Sequence, residues 1–345
     1  MKIRLFYTVP LLVFLLLFGV ECIAFQNSPL FSTEKPLEME LITSLSELRR
    51  SESDTTFFMA KMRYGNDDGS WDSLEVELRA RGNSRRSMCY FPPIRMKIKK
   101  KKSKNSLFEE DKSLKLVIPC QIANPFNGLI VKEYMCYKFY EKITPYHFKT
   151  RLVNLTLTDQ NDRKSKTHNI TAFLIEDDDK VAKRHQFMIS DAKPVLPNTI
   201  HDTTAVRQDI FAFMIGNTDW SNTGQHNVKM LVDKNKIHFP LPYDFDMSGI
   251  VSAPYAIPYD YLPIKTVQER LYRGLCRDPE LIQYIRNQYL TLEPQMMDIL
   301  DQYEAHLSPY DFKRAKNYLN VFFDIIKNEK LFNHQILSKC RPNNY

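Results

Sequence analysis

Leu74-Glu-Val-Glu-Leu-Arg-Ala-Arg81 and, beyond a turn at Gly82-Asn83-Ser84, Ile94-Arg-Met-Lys-Ile98 alternate apolar and charged side chains residue by residue. A period of two puts every apolar group on one face of an extended chain and every charge on the other, so both stretches predict β-strands half-buried against a core. The stretch 57–63 before them and 114–118 after them read the same way, which predicts an antiparallel, mostly β amino-terminal region. Further on the period changes. Tyr134, Tyr137 and Lys138 at three-to-four spacing predict a helix over 133–141, and 151–157 with 171–176 predict a strand pair. Val206, Ile210, Phe213 and Met214 form a helical stripe that stops at Gly216. Short strands are expected near Val228 and Ile237, then mainly helix through Phe332. The expected class is α+β, with residues 1–24 a leader, 25–55 a polar lead-in, 56–200 a β-rich amino-terminal lobe and 201–345 a mainly helical carboxy-terminal lobe.

The chain has 345 residues, 43% apolar and 26% charged, a mixture that excludes a disordered or collagen-like chain and a multi-span membrane protein. With only 9 Gly it holds neither GxGxxG nor GxxxxGK[ST]. GxSxG and HExxH are absent too. The formal charge of +7 permits an anionic ligand without demanding nucleic acid.

Lys2 and Arg4 precede an uncharged run over 5–20, then small residues around Ala24, the pattern of a secretory signal peptide and of an exported protein. The alternative is an uncleaved membrane anchor, although the run falls short of the ~20 residues a spanning helix needs and contains Pro10. Beyond Cys22 lie Cys89, Cys120, Cys136, Cys276 and Cys340, an odd number that leaves at least one thiol unpaired within the chain. No CxxC spacing supports a zinc site. A disulfide suits an exported chain, and its partners are not readable from spacing.

The stretch Gly216-Asn-Thr-Asp219-Trp, His226-Asn227 and Pro242-Tyr-Asp244-Phe-Asp246 carries the densest chemistry. Hard divalent cations such as Mg2+ or Mn2+ take oxygen ligands, which Asn227, Asp244 and Asp246 could supply. Phosphoryl transfer needs one more carboxylate to orient a hydroxyl and accept its proton, and Asp219 is the candidate. The plainer alternative has these side chains capping turns and fixing a hairpin, and for His226 a structural hydrogen bond. Arg79, Arg81, Arg85 and Arg86 surround the Gly82 turn, where guanidinium forks suit a phosphate. Arg95, Lys97 and Lys115 on the following strands could reach the same anion, with Glu133 pairing one of the lysines. Six lysines fall in the eight positions 97–104, a solvated loop or a contact for a membrane or cell surface.

In this order the residues resemble the spore-coat-protein-H (CotH) kinase-like family: Leu78-Arg-Ala-Arg-Gly-Asn-Ser, Pro93-Ile-Arg-Met-Lys, Ile215-Gly-Asn-Thr-Asp-Trp, His226-Asn227 and Tyr243-Asp-Phe-Asp. The resemblance spans roughly residues 74–249. It implies a two-lobed atypical protein-kinase-like fold, ATP with Mg2+ or Mn2+, and transfer of the γ-phosphoryl to Ser or Thr of a partner protein. Position by position it implies Asp219 as catalytic, Asn227, Asp244 and Asp246 as metal ligands, and Arg81 with Lys97 or Lys115 on the phosphates. Glu133 would hold the lysine, and Glu176 would fall where a hinge meets adenine. The loop around Asp219 and the acidic stretch 174–184 depart from the family pattern. A catalytically inactive kinase-like binding protein and a metal-dependent phosphohydrolase are the competing readings, separable by ATP binding and by transfer.

Overall fold

The computed structural model describes residues 28–50, 55–82, 86, 88–123, 125–160 and 165–342. The expected leader, and Asn83, Ser84 and Arg85 of the arginine turn, lie outside them.

Among the described residues, ten strands and seven α-helices follow one another as β1 (Leu37–Thr43), α1 (Leu45–Arg50), β2 (Phe58–Gly65), β3 (Trp71–Ala80), β4 (Ile94–Ile98), β5 (Ser113–Val117), α2 (Pro125–Ile143), β6 (Thr150–Gln160), β7 (Ser165–Ile175), α3 (Asp178–Arg184), β8 (Met188–Ile189), α4 (Asp202–Ile215), β9 (Val228–Val232), β10 (His238–Pro242), α5 (Pro279–Gln302), α6 (Pro309–Lys327) and α7 (Glu329–Gln335). The first seven strands form a closed barrel in the order β1-β2-β3-β4-β5-β7-β6. Closure comes from β1, which runs antiparallel to β2 and parallel to β6, Leu37 opposite Val153 through Thr43 opposite Asp159. The alternating side chains point inward as expected: Met39, Leu41, Met62, Val76, Leu78, Met96, Leu114, Leu155 and Leu174 fill one interior core.

A second core lies outside that wall. Strands β5, β6 and β7 turn Val117, Leu152, Phe173 and Ile175 outward, against Tyr134, Tyr137 and Phe139 of α2 and against α4, α5 and α6. The start of β6, Thr150 to Val153, is therefore buried on both faces, and Arg151 is satisfied there by donating to the carbonyls of Lys35 and Leu30 at 3.0 and 3.1 Å. Helix α4 ends where the sequence predicts, with Gly216 in the left-handed conformation at φ 68°. Among the described residues two disulfides form, Cys89–Cys120 between the loops flanking β4 and β5 and Cys276–Cys340 near the carboxy terminus, and Cys136 is a buried thiol in the second core.

This architecture corrects the expected two-lobed kinase-like fold with an open β-rich lobe and a helical lobe. The sheet is a closed seven-stranded barrel, because the lead-in supplies β1, and its outer wall belongs to the same core as the helices. A barrel has no exposed edge strand left to form the rim of a separate lobe.

Candidate functional site

The cross-strand register places Arg79 opposite Arg95 and Arg95 opposite Lys115, a row of cations across the outer face of β3, β4 and β5. The row grows more buried toward β5. Arg95 is half-buried, donating from Nε to Ser113 Oγ at 3.0 Å and pairing through Nη2 with Asp177, the residue that caps α3. Lys115 is only 5% exposed, and its Nζ makes no hydrogen bond. The rings of Phe148 and Tyr243 lie 4.7 Å from that Nζ, and the nearest carboxylate oxygen is Asp178 Oδ1 at 3.7 Å. Burial lowers the Lys115 pKa to about 8; Asp178 opposes the shift, and Arg81 and Arg95 reinforce it. Burial alone would raise the Asp178 carboxyl, but Lys115 and Lys229 hold it below the ordinary value.

Helix α2 brings Glu133 and Tyr137 to this wall, four residues apart on one helix face and both buried. The Tyr137 hydroxyl accepts the Asp244 backbone N–H at 2.9 Å. Burial first, then the charges of Glu133 and Asp244, push the Tyr137 phenol well above its ordinary value. Asp244 follows β10 with φ 64°, and Asn227, just before β9, has φ 51°. The Tyr243 N–H donates to the Asn227 carbonyl at 3.0 Å, so the two left-handed residues sit at the base of one hairpin. Strained backbone of this kind gathers at functional sites.

Asp219 belongs to the same patch. Its backbone N–H donates to Asn217 Oδ1 at 2.9 Å, in the loop that Gly216 starts. Its carboxylate receives Asn227 Nδ2 at 2.9 Å and the Tyr259 hydroxyl at 3.0 Å, and meets His226 Nε2 at 2.7 Å. The side chain remains partly open to solvent. Asp219, Asn227, Tyr243, Asp244 and Tyr137 are thus connected bond by bond, and Arg81 is close enough to lower the phenol of Tyr243, which burial drives up to about 12. Arg81 Nε has no hydrogen-bond partner.

Three of the residues singled out in the sequence are engaged in other contacts. Lys97, on the barrel's outer face, is exposed and sits 4.0 Å over the Phe57 ring, so Lys115 is the lysine that reaches the Asp244 hairpin. Glu176 is buried, bound by Arg184 Nη1 at 2.8 and 2.9 Å and by the Lys149 N–H at 2.6 Å, which fixes α3 against the start of β6. Burial raises its pKa, with Arg184 opposing. Asp246 is buried and accepts from the Tyr255 hydroxyl at 3.1 Å. The lysine run is partly neutralised by β3, since Lys99 pairs with Glu77 at 2.8 Å and Lys102 with Glu75.

Among the described residues, no three His, Cys, Asp or Glu side chains gather as a metal-holding group. Mg2+ is ordinarily held by one or two carboxylates with phosphate and water completing its shell, and does not need such a group. Asp244 with the amide oxygen of Asn227 meets that smaller demand, and Asp246, engaged by Tyr255, is the weakest member of the expected set.

Sequence reading gave no role to Asp177, Asp178, Lys229 or Tyr259, and quoted Tyr243 without assigning it one. The Asp pair follows a strand and precedes a helix, a capping signal that could have been read. Tyr259 reaches Asp219 from a loop 40 residues away and carries no local signal. No protein-family model and no curated protein matches the chain.

Proposed function

We propose that this patch binds a nucleoside triphosphate, ATP by chemistry, and transfers its terminal phosphoryl group to a Ser or Thr hydroxyl of a partner protein. The observation that carries the reading is Lys115: a buried ammonium without a hydrogen-bond acceptor, beside Arg81 and facing a hairpin that bears Asp244. A buried cation lacking a close acceptor is destabilising by itself, and a phosphate oxygen is the ligand that relieves it.

Lys115 and Arg81 hold the phosphates. A divalent ion bound at Asp244 and Asn227 would neutralise charge on the transferring group. Asp219 orients the acceptor hydroxyl and takes its proton, while Asn227 and Tyr259 fix the carboxylate's direction. The residue series resembling the spore-coat-protein-H family supports the same assignments at the level of the site, not of the architecture. Glu176 plays no part in nucleotide contact in this reading, being bound by Arg184. The amino-terminal leader pattern and the two disulfides support export to an oxidising compartment.

A second reading, binding of an anionic partner without transfer, is favoured by one fact: Glu176 and Asp246 are both engaged in internal bonds. Thermal shift with millimolar Mg-ATP or Mn-ATP, paired with γ-phosphoryl transfer to a generic protein acceptor, separates the two. Stabilisation by nucleotide plus metal with transfer supports the transferase; stabilisation without transfer supports the binding protein, and no stabilisation removes the transferase.

A further inference from the structure

Behind the Asp219 loop lies a polar pocket whose lining includes neither Lys115 nor Arg81, Tyr243 or Asp244. It is a cavity of about 110 Å3 between α4, the loop after Trp220 and the carboxy-terminal segment. At about 30 Å3 per water it has room for three or four waters or one tetrahedral oxyanion. Three guanidinium groups line it, Arg273, Arg277 and Arg341, with Ser221, Asn222 and Thr223 across from them and one carboxyl, Asp209.

The cations are built in. The Arg277 side chain is 7% exposed and pairs through Nη1 with Asp202, yet its Nε has no hydrogen-bond partner. Asn222 Oδ1, also buried, is without one as well. Arg273 is anchored by Nη1, which donates to the carbonyls of Thr218 and of Trp220, the latter at 3.1 Å. Arg341 is pinned by its backbone N–H to Gly274 O at 2.9 Å, by Nε to Arg273 O at 2.6 Å, and by the neighbouring Cys276–Cys340 disulfide. Asp209 offsets this charge incompletely, since burial, opposed by Arg341, pushes its carboxyl up to about 7. A pocket with an unmet donor, an unmet acceptor and an excess of guanidinium is matched by an ion that accepts from arginine and donates one O–H, as monohydrogen or dihydrogen phosphate does.

We infer that the Arg273–Arg277–Arg341 pocket binds a free tetrahedral oxyanion of the inorganic phosphate class, at a site separate from Lys115. The inference does not depend on the transferase reading. An ion there would also brace the Asp219 loop, because Arg273 holds the two carbonyls that flank Asp219 in sequence.

Isothermal titration of the full chain with inorganic phosphate tests it, using Lys115→Met as the background so that binding at the Lys115 patch is removed. Saturable binding is expected in Lys115→Met, weakened at least tenfold by adding Arg277→Gln or Arg341→Gln, and tightened by adding Asp209→Asn. Arg341 is exposed, so its variant keeps the test sound if Arg277→Gln fails to fold. Absence of saturable binding in Lys115→Met, or unchanged affinity on adding Arg341→Gln, would overturn the site. O-phosphoserine binding more tightly than inorganic phosphate would overturn the free-ion assignment.

Discussion

Replacing Lys115 by Met should make the protein more stable while ending nucleotide binding. In the folded chain Lys115 titrates at about 8, against 10.5 when unperturbed. At 1.36 kcal/mol per unit, holding the ammonium in its buried site costs about 3 kcal/mol, a figure that already contains its attraction to Asp178. The sign follows from proton binding. Between pH 8 and 10.5 the unfolded chain keeps the Lys115 proton and the folded chain has lost it, so stability rises with pH across that window. Below pH 8 the full cost applies; above 10.5 it vanishes. Met fills a similar volume and packs its sulfur against the rings of Phe148 and Tyr243. Urea midpoints at pH 7 should therefore favour Lys115→Met by up to about 3 kcal/mol, and the gap should close as pH climbs from 8 to 10.5. Mg-ATP should stabilise the wild type and leave the variant unchanged. The reasoning is refuted if Lys115→Met is less stable than wild type at pH 7, or if it still responds to Mg-ATP.

The other expectations divide the site by role. Asp219→Asn keeps the side chain's size and one acceptor oxygen but not its charge, so nucleotide binding should survive while transfer falls at least a hundredfold, about 3 kcal/mol of barrier, measured by γ-phosphate incorporation. Asp244→Asn keeps a side chain that tolerates φ 64°, so the fold should hold while metal-dependent nucleotide binding and transfer weaken together in titrations with and without Mg2+. Glu176→Ala strands the Arg184 guanidinium and should cost about 3 kcal/mol by urea denaturation, with Mg-ATP affinity intact. An altered affinity would restore Glu176 to the nucleotide site. Opening Cys89–Cys120 or Cys276–Cys340, which close loops of 31 and 64 residues, should lower stability by about 4 kcal/mol each on chain-entropy grounds, read from urea midpoints of paired Cys→Ser variants.

The sequence by itself determined the local elements, because local structure follows from side-chain period. Strands β3 and β4, the helix ending at Gly216 and the short hairpin of β9 and β10 were all legible, since alternation, helical stripes and a left-handed glycine act over a few residues. It also held Asp219, Asn227 and Asp244 in one neighbourhood, since a loop and a hairpin keep residues 219–246 close whatever surrounds them. Even β1 was written there: Leu37, Met39 and Leu41 alternate with Glu38 and Glu40, a signal lost in a stretch read as polar lead-in. What β1 does was decided only by tertiary structure. Its parallel pairing with β6 joins residues more than a hundred positions apart, and no local pattern encodes which edge a strand will seek; that pairing turned an expected open lobe into a closed barrel. The same holds for the choice between Lys97 and Lys115. Both are lysines on alternating strands, and only the packing of α2, Phe148 and Tyr243 against β5 buries one while the other stays in solvent. Glu176 shows the converse, a carboxylate at a suggestive position whose partner, Arg184, is set by how α3 folds back on its own strand.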